Sequence, residues 1–330
     1  MKKVLVTKFC SKLLFFVYIM KTPILNFWLF LIALTAACQS PKKSVDINSS
    51  NPATENTLLW KISGNGLEKA SYLFGTIHLM CSEDALLSDS LIQAIKNTDE
   101  VYLEVDMDNL FEMMSALSKM KMKNDTTLAD LLSEDDYETV RAYFEEKGGL
   151  LPFTVIEKYK PFLAASTMLE GSLPCEQNVA MEQLIMEQAT TNRKKINGLE
   201  TMNYQMSLFD SIPYKVQAEL LVKYIKSGDD DDELKQYDEL VRAYKSQDLN
   251  KLEELTRRSD MGIANFEEVL LYNRNRNWVK KLNTLLKEGS FTIAVGAGHL
   301  PGENGVISLL RKAGFTVTPV KNEVVKKVVI

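Results

Sequence analysis

Both histidines of this 330-residue chain lie in the same four-residue pattern, near opposite ends of the sequence. His78 ends the pattern Gly-Thr-Ile-His, and His299 ends Gly-Ala-Gly-His. Each pattern follows an apolar run that predicts a buried strand. An imidazole binds transition metals and transfers protons near neutral pH, so both histidines are candidates for a chemical site. The alternative, a core histidine bonded to a backbone carbonyl, fits one such residue better than two in matching patterns.

Two glutamates lie in strands of the predicted sheet, close to where those strands end. Glu104 belongs to the run 100–106, and Glu200 lies near the end of the run 195–201. The carboxyl ends of parallel strands border the crevice where α/β sheets bind ligands. Two imidazoles and two carboxylates form a ligand set for Zn²⁺, Mn²⁺, Co²⁺ or Fe²⁺. For each glutamate the alternative is a structural ion pair with a nearby arginine, and Arg274 is a candidate for that partner.

Two arginines stand at a predicted helix start. Arg274 and Arg276 alternate with asparagines just ahead of Trp278. A guanidinium directed into the crevice can hold a carbonyl or carboxylate through two hydrogen bonds, or stabilise an oxyanion. A solvated helix face is the alternative, and it suits Arg276 better than Arg274. We therefore take Arg274 as the candidate site residue.

The order of the predicted elements indicates an α/β (α+β) fold, with a central mixed sheet and large helical insertions. Two apolar runs separated by Gly64-Asn65-Gly66 indicate a β-hairpin at the start of the domain. Residues 108–189 and 213–286 follow helical periodicity, so one helical insertion precedes the strand of Glu200 and another follows it. The predicted strands cover 58–63, 71–76, 100–106, 195–201, 291–295, 315–320 and 324–330.

The first part of the chain predicts export rather than folded structure. Residues 27–37 are apolar and lead into Cys38, as in a bacterial lipobox, although Thr35 stands where leucine is usual. We predict a signal peptide with a lipobox cysteine over 1–38, with Met20 as an alternative start. A plain membrane anchor helix is the alternative to lipidation.

The remaining sequence divides into a flexible tether over 39–56 and one domain over 57–330. The predicted location is extracytoplasmic, with lipid on Cys38 holding the protein to the membrane of the bacterial cell envelope, in the periplasm or at the outer membrane. The formal net charge is −5, and no basic stripe with interleaved aromatic residues predicts nucleic-acid binding. The expected partner is a peptide or small-molecule substrate.

Two cysteines remain in the mature chain if Cys38 is lipidated and Cys10 is removed with the signal peptide. An exported protein is exposed to oxidising conditions, so Cys81 and Cys175 are candidates for a disulfide. Two free thiols are the alternative, because sequence does not show geometry. A bridge would fix the loop after His78 to the middle of the chain.

The sequence resembles the TraB/PrgY/GumN family, which includes Tiki-type metalloproteases, over roughly residues 57–320. By this resemblance, five residues take the site roles, and the fold is similar to erythromycin-esterase and ChaN-like α/β proteins. Some animal members cleave peptides with Mn²⁺ or Co²⁺, and some bacterial members bind or restrain peptide pheromones. One departure is Asn273, where many relatives carry an acidic residue. The five residues are His78, Glu104, Glu200, Arg274 and His299.

Together these features predict a divalent-metal-dependent hydrolase of the envelope, most plainly a peptidase, with Mn²⁺, Co²⁺ or Zn²⁺ as cofactor. His78 and His299 would bind the metal; either Glu104 or Glu200 would complete its ligands, and the other would act as general base. Arg274 would stabilise the oxyanion. Two alternatives stay open: an esterase-like hydrolase without metal, in which a histidine is the base, and a non-enzymatic lipoprotein that binds peptide or haem.

Overall fold

The computed structural model describes residues 56–147, 151–172, 175–227, 231–258 and 266–324. The predicted signal peptide with Cys38, nearly all of the tether and the last predicted strand beyond residue 324 therefore lie outside the described residues. Within the described ranges, no helix combines the length and the hydropathy needed to cross a bilayer.

Eight strands form two sheets in the described part of the chain. Six strands make one mixed sheet, and β3 and β5 make a separate two-stranded sheet. The strands are β1 (Leu59–Ser63), β2 (Ser71–Thr76), β3 (Met80–Cys81), β4 (Glu100–Val105), β5 (Asn178–Val179), β6 (Lys195–Glu200), β7 (Phe291–Gly296) and β8 (Thr316–Pro319). In the large sheet their order is β6-β4-β7-β2-β1-β8.

The four strands that carry the candidate site residues run parallel. β2 pairs with β7, β7 with β4, and β4 with β6, all in parallel register. Their carboxyl ends therefore meet at one edge of the sheet, as the sequence predicts. β1 is antiparallel to both β2 and β8. The turn between β1 and β2 uses positive φ at Gly64, Asn65 and Gly66, which is the conformation the hairpin prediction requires.

Helices fill the two predicted insertions, so the predicted fold class, a mixed sheet with large helical insertions, is confirmed. One block lies between β4 and β6, and the other lies between β6 and β7. The helices are α1 (Asp89–Asn97), α2 (Leu110–Lys119), α3 (Leu128–Leu131), α4 (Glu134–Lys147), α5 (Phe153–Ile156), α6 (Pro161–Ser172), α7 (Met181–Thr191), α8 (Met202–Leu208), α9 (Tyr214–Ser227), α10 (Asp231–Lys245), α11 (Leu249–Arg258), α12 (Asn273–Leu285) and α13 (Val306–Lys312).

Three details of the local structure set where helices begin. Helix α1 begins at Asp89, because the Ser88 hydroxyl accepts a hydrogen bond from the Leu91 N–H and caps it. Helix α7 begins at Met181, since Val179 pairs with Met80 in the small sheet. A π-helical turn leads directly into α12, immediately before Arg274.

The apolar residues form two buried clusters. One surrounds the large sheet and includes Trp60, Ile293 and Trp278. The other lies among the helices of both insertions and includes Met202 and Met206, as expected for methionine used in packing. The candidate site lies where α8 and α12 meet the carboxyl edge of the sheet, so its polar side chains are enclosed by both elements.

Candidate functional site

The parallel pairing of β2 and β7 brings the two histidine patterns side by side. Thr76 is in register with Gly296, so His78 and His299 leave neighbouring strands two and three residues later. Gly75 fits this close approach because a β-carbon there would lie 2.7 Å from Leu300 Cδ1. The two patterns therefore lie side by side at the carboxyl edge of the sheet.

Arg274 is the centre of this site, and its side chain is 0% exposed. Its Nε donates to Glu200 Oε1 at 2.8 Å, and its Nη2 bonds to Glu104 Oε2 and, at 2.7 Å, to Glu200 Oε1. Its Nη1 donates to the Leu270 carbonyl at 3.0 Å and to His299 Nε2 at 3.1 Å. A guanidinium carries five N–H groups, so every donor of Arg274 is in use.

The two glutamates also bond to other groups around them. Glu104 Oε1 accepts from the Gly296 N–H at 2.8 Å, and Oε2 accepts from Gln205 Nε2 at 3.1 Å. Glu200 Oε2 accepts from Trp278 Nε1 at 2.8 Å. Burial favours the neutral acid, but the charge of Arg274 outweighs it and holds the pKa of Glu104 well below its usual range. The ion-pair alternative for the two glutamates is thus what the structure shows.

His299 is held neutral with its tautomer fixed by its two partners. Its Nδ1 lies 2.6 Å from Asn275 Oδ1, and its Nε2 lies 3.1 Å from Arg274 Nη1. Because a guanidinium only donates, Nε2 must accept, and Nδ1 must carry the proton that Asn275 receives. Burial and the adjacent Arg274 charge lower the pKa of His299 to about 3.

Stability is expected to fall in acid because His299 stays neutral in the folded protein. Its folded-state pKa of about 3 lies below the ordinary value of 6.5, so between these values the unfolded chain binds a proton that the folded chain does not. The free energy of unfolding should decrease by up to about 1.4 kcal/mol per pH unit as the pH falls through this range. Glu104, whose pKa is also lowered, adds to the loss below its ordinary value of 4.5.

Urea denaturation between pH 6.5 and 4.5 measures this slope. His78 does not interfere, because its raised pKa affects stability only above pH 6.5. In His299→Gln the slope should be shallower by the equivalent of one proton. An equal slope in the variant and the wild type would show that His299 titrates normally in the folded protein.

His78 bonds to a glutamate that the sequence analysis did not identify. Its Nδ1 lies 2.7 Å from Glu182 Oε1, and the same oxygen accepts from the Thr76 hydroxyl at 2.5 Å. Burial lowers the pKa of His78, but the Glu182 carboxylate outweighs this and raises it. Among the described residues, the buried side-chain polar atoms without a hydrogen-bond partner are His78 Nε2 and Glu182 Oε2.

The Cys81–Cys175 disulfide lies beside this contact. The structure joins the two cysteines with Cα atoms 5.8 Å apart, across 94 residues of sequence. Strand β3 pairs with β5 next to this disulfide. Strand β5 leads into α7, which carries Glu182 in its first turn. In the sequence, the predicted Cys81–Cys175 disulfide is the signal that places the residues just after Cys175 near His78.

His78 lines a small cleft between the sheet edge and helices α10 and α11. The hydroxyls of Tyr237 and Tyr244 in its wall donate to the Leu79 and Gly75 carbonyls, at 3.1 and 3.0 Å. In this wall, His78 Nε2 is the buried side-chain polar atom that has no hydrogen-bond partner among the described residues. The cleft is lined chiefly by Ile77, His78, Leu240, Leu252, Thr256 and Gly298.

The predicted metal ligands do not fit a metal ion in this arrangement. Within the described ranges, no three or more His, Cys, Asp or Glu side chains are placed to hold one. The physical reason is Arg274, which uses the Nε2 lone pair of His299 and bonds to both Glu104 and Glu200. The roles predicted for these residues, including oxyanion stabilisation by Arg274, stay predictions.

Comparisons with known proteins agree with the motif resemblance. The profile of the TraB/PrgY/gumN family matches residues 58–319. Metalloprotease TIKI2 of Xenopus tropicalis is 23% identical over 337 residues, which cover 86% of this chain and 62% of that protein. Metalloprotease TIKI1 of Homo sapiens is 22% identical over 338 residues, covering 86% of this chain and 64% of that protein.

A bacterial relative covers less of the chain. Protein YbaP of Escherichia coli, described as uncharacterized, is 22% identical over 247 residues, which cover 73% of this chain and 87% of that protein. The chain thus spans less than two thirds of the length of the two metalloproteases above. No solved structure matches the chain, so its similarity to erythromycin-esterase and ChaN-like proteins stays a prediction.

Proposed function

Because the chain belongs to the TraB/PrgY/gumN family, we propose that it is a metalloprotease-like hydrolase that cleaves peptide bonds. The observation that carries this proposal is His78, which is 9% exposed, bonded through Nδ1 to Glu182, and left with an unpartnered Nε2 at a cleft. A histidine held by a carboxylate on one nitrogen, with no hydrogen-bond partner on the other, is the usual arrangement of a general base.

Peptide hydrolysis follows from this pair without further groups. His78 Nε2 takes a proton from a water molecule as the water oxygen bonds to the peptide carbonyl carbon. The Glu182 carboxylate stabilises the imidazolium that forms and keeps the proton on Nδ1. Nε2 then returns the proton to the leaving nitrogen as the carbon–nitrogen bond breaks. Water is consumed, and one carboxyl and one amino group are produced.

Metal dependence is a separate part of the proposal. The animal relatives are named as metalloproteases, and Mn²⁺, Co²⁺ and Zn²⁺ are the ions that the sequence predicts. Since the predicted ligand set does not fit a metal here, no step above passes through one. The second candidate is a hydrolase without metal. It is favoured because Arg274 bonds to Glu104 and His299, which the sequence predicts as metal ligands.

A haem-binding role is less compatible with the site. Axial ligation needs a free imidazole lone pair, and the Nε2 lone pair of His299 is used by Arg274. His78 alone offers one nitrogen. A pure peptide-binding role has no such obstacle, and the cleavage experiment below separates it from hydrolysis.

The protein is proposed to act at the cell envelope. Lipidation at Cys38 rests on the sequence, and the Cys81–Cys175 disulfide supports export because such bonds form in oxidising compartments. Membrane fractionation of cells that make the wild type and Cys38→Ser tests the anchor. An equal share of both proteins in the membrane fraction would rule out lipid on Cys38.

A mixture of unlabelled peptides of varied sequence tests the activity. We expect the purified full-length chain to produce new amino termini, identified by mass spectrometry. One arm uses protein treated with a chelator, and the other uses the same protein with added Mn²⁺ or Co²⁺. Cleavage in both arms supports His78 as a base without metal, and cleavage only with added ion supports the metalloprotease form. Peptide that binds but is never cleaved in either arm would refute the hydrolase.

A further inference from the structure

We propose that the guanidinium of Arg274 is the resident cation of this site, so that an added divalent metal binds there only at the pair of His78 and Glu182, whose Nε2 and Oε2 atoms have no partner in the described structure. Three of the four residues that the sequence predicts as metal ligands, namely Glu104, Glu200 and His299, bond to Arg274 instead. The guanidinium also stacks over Trp278, with its carbon 4.7 Å from the ring centre. A cation with an aromatic face and three polar ligands is thus already built into the fold.

His299 has no nitrogen free to coordinate a metal. A neutral imidazole has one in-plane lone pair, on its unprotonated nitrogen. Its Nδ1 carries the proton that Asn275 Oδ1 receives, and its Nε2 lone pair points to Arg274 Nη1. Neither nitrogen can coordinate a metal unless one of these bonds breaks. His299 is completely buried, so bulk water cannot reach it to replace a lost partner.

The carboxylates lead to the same conclusion. Glu104 Oε1 and His299 Nε2 lie 3.8 Å apart, a gap in which an ion would touch both. An ion there would lie next to the permanent positive charge of Arg274, and like charges repel strongly in a buried site. Glu200 has no such gap, because Arg274 and Trp278 occupy both of its oxygens.

His78 is different because nothing in the described structure uses its Nε2. Its Nδ1 bond to Glu182 is the arrangement in which metal-binding histidines are usually held. The two histidines therefore differ: His78 can accept an ion or a proton at its unpartnered Nε2, whereas His299 serves as a neutral partner of Arg274.

Nitrogen NMR of the full-length chain labelled at histidine tests this directly, since the chain has two histidines. His78→Gln assigns the signals. On addition of Zn²⁺, we expect the ring nitrogens of His78 to shift and those of His299 to stay unchanged. A spectrum in which neither histidine shifts also supports Arg274 as the only cation of the site. A shift of the His299 nitrogens at one equivalent of Zn²⁺ would overturn the proposal.

The dissociation constant for Zn²⁺ is a second test, which does not depend on the labelled spectra. His78→Gln should weaken binding about tenfold or more, whereas Glu200→Gln should leave the dissociation constant unchanged. Weaker binding in folded Glu200→Gln would contradict the proposal. Both measurements record binding without turnover, so their outcome stands whether or not the protein hydrolyses peptides.

Discussion

Arg274→Met is expected to lower the free energy of unfolding by about 3–5 kcal/mol, which is the usual effect of removing one partner from a buried ion pair. The loss leaves two carboxylates, Glu104 and Glu200, without their shared cation in a site where burial penalises charge. It also removes the donor that fixes His299 Nε2. Methionine is chosen because it fills much of the same volume without charge.

Arg276→Met is the matched control, because Arg276 lies two residues further along α12 and is exposed. Its ion pair with Glu268 is at the surface, so its replacement should change stability by no more than about 1 kcal/mol. Urea denaturation of both variants beside the wild type measures the difference. Equal stability of Arg274→Met and Arg276→Met would show that the buried network contributes nothing to the fold.

His78→Gln is expected to lower kcat/KM for a cleaved peptide by about 10²- to 10⁴-fold, the range that a general base contributes. Glutamine retains a polar side chain at this position but cannot take a proton from water near neutral pH. The fold should survive, since the glutamine amide can donate to Glu182 in place of Nδ1 and the described structure gives His78 Nε2 no partner to lose. The measurement is the initial rate of cleavage of a peptide chosen from the mixture experiment.

Two controls accompany this variant. Glu187→Gln changes an exposed glutamate on α7, outside the contact with His78, and should keep the wild-type rate. The thermal unfolding midpoint of His78→Gln should stay within a few degrees of the wild type. A rate in His78→Gln equal to that of the wild type would exclude His78 from the chemistry, whatever the role of the remaining residues.

The sequence allows the edge of the sheet to be predicted, because strand-end positions follow from apolar runs alone. His78, Glu104, Glu200 and His299 each lie at or near the end of such a run, and parallel strands bring their ends together. Arg274 was a candidate partner on the same reasoning about unpaired buried carboxylates. Their convergence around one centre is therefore a consequence of strand polarity.

What the sequence does not contain is the direction of each lone pair. The same two histidines and two glutamates suit a metal or a guanidinium, and the choice depends on where α12 places Arg274. The helix enters this position through a π-helical turn, and the Leu270 carbonyl of that turn accepts one of the guanidinium donors. Sequence periodicity does not resolve a turn of this kind, since its apolar spacing is that of an ordinary helix.

Glu182 was missed for a different reason. It stands in the first turn of a helix, where a glutamate normally faces solvent and interacts with the helix dipole. Its burial follows from tertiary contacts, since β5 and the disulfide hold the start of α7 against the loop of His78. A contact across about a hundred residues of sequence leaves no local pattern, and only the cysteine pair pointed to it.

The proposed hydrolase activity depends most on one contact, the 2.7 Å bond between Glu182 Oε1 and His78 Nδ1. The pH dependence of kcat/KM for wild type and Glu182→Gln tests it directly. In the wild type, activity should fall as the pH drops through a pKa above 6.5, because Glu182 raises the pKa of the base. In Glu182→Gln this fall should move to lower pH, and the plateau should drop about 10- to 100-fold. An unchanged profile in the variant would contradict the proposed role of the pair.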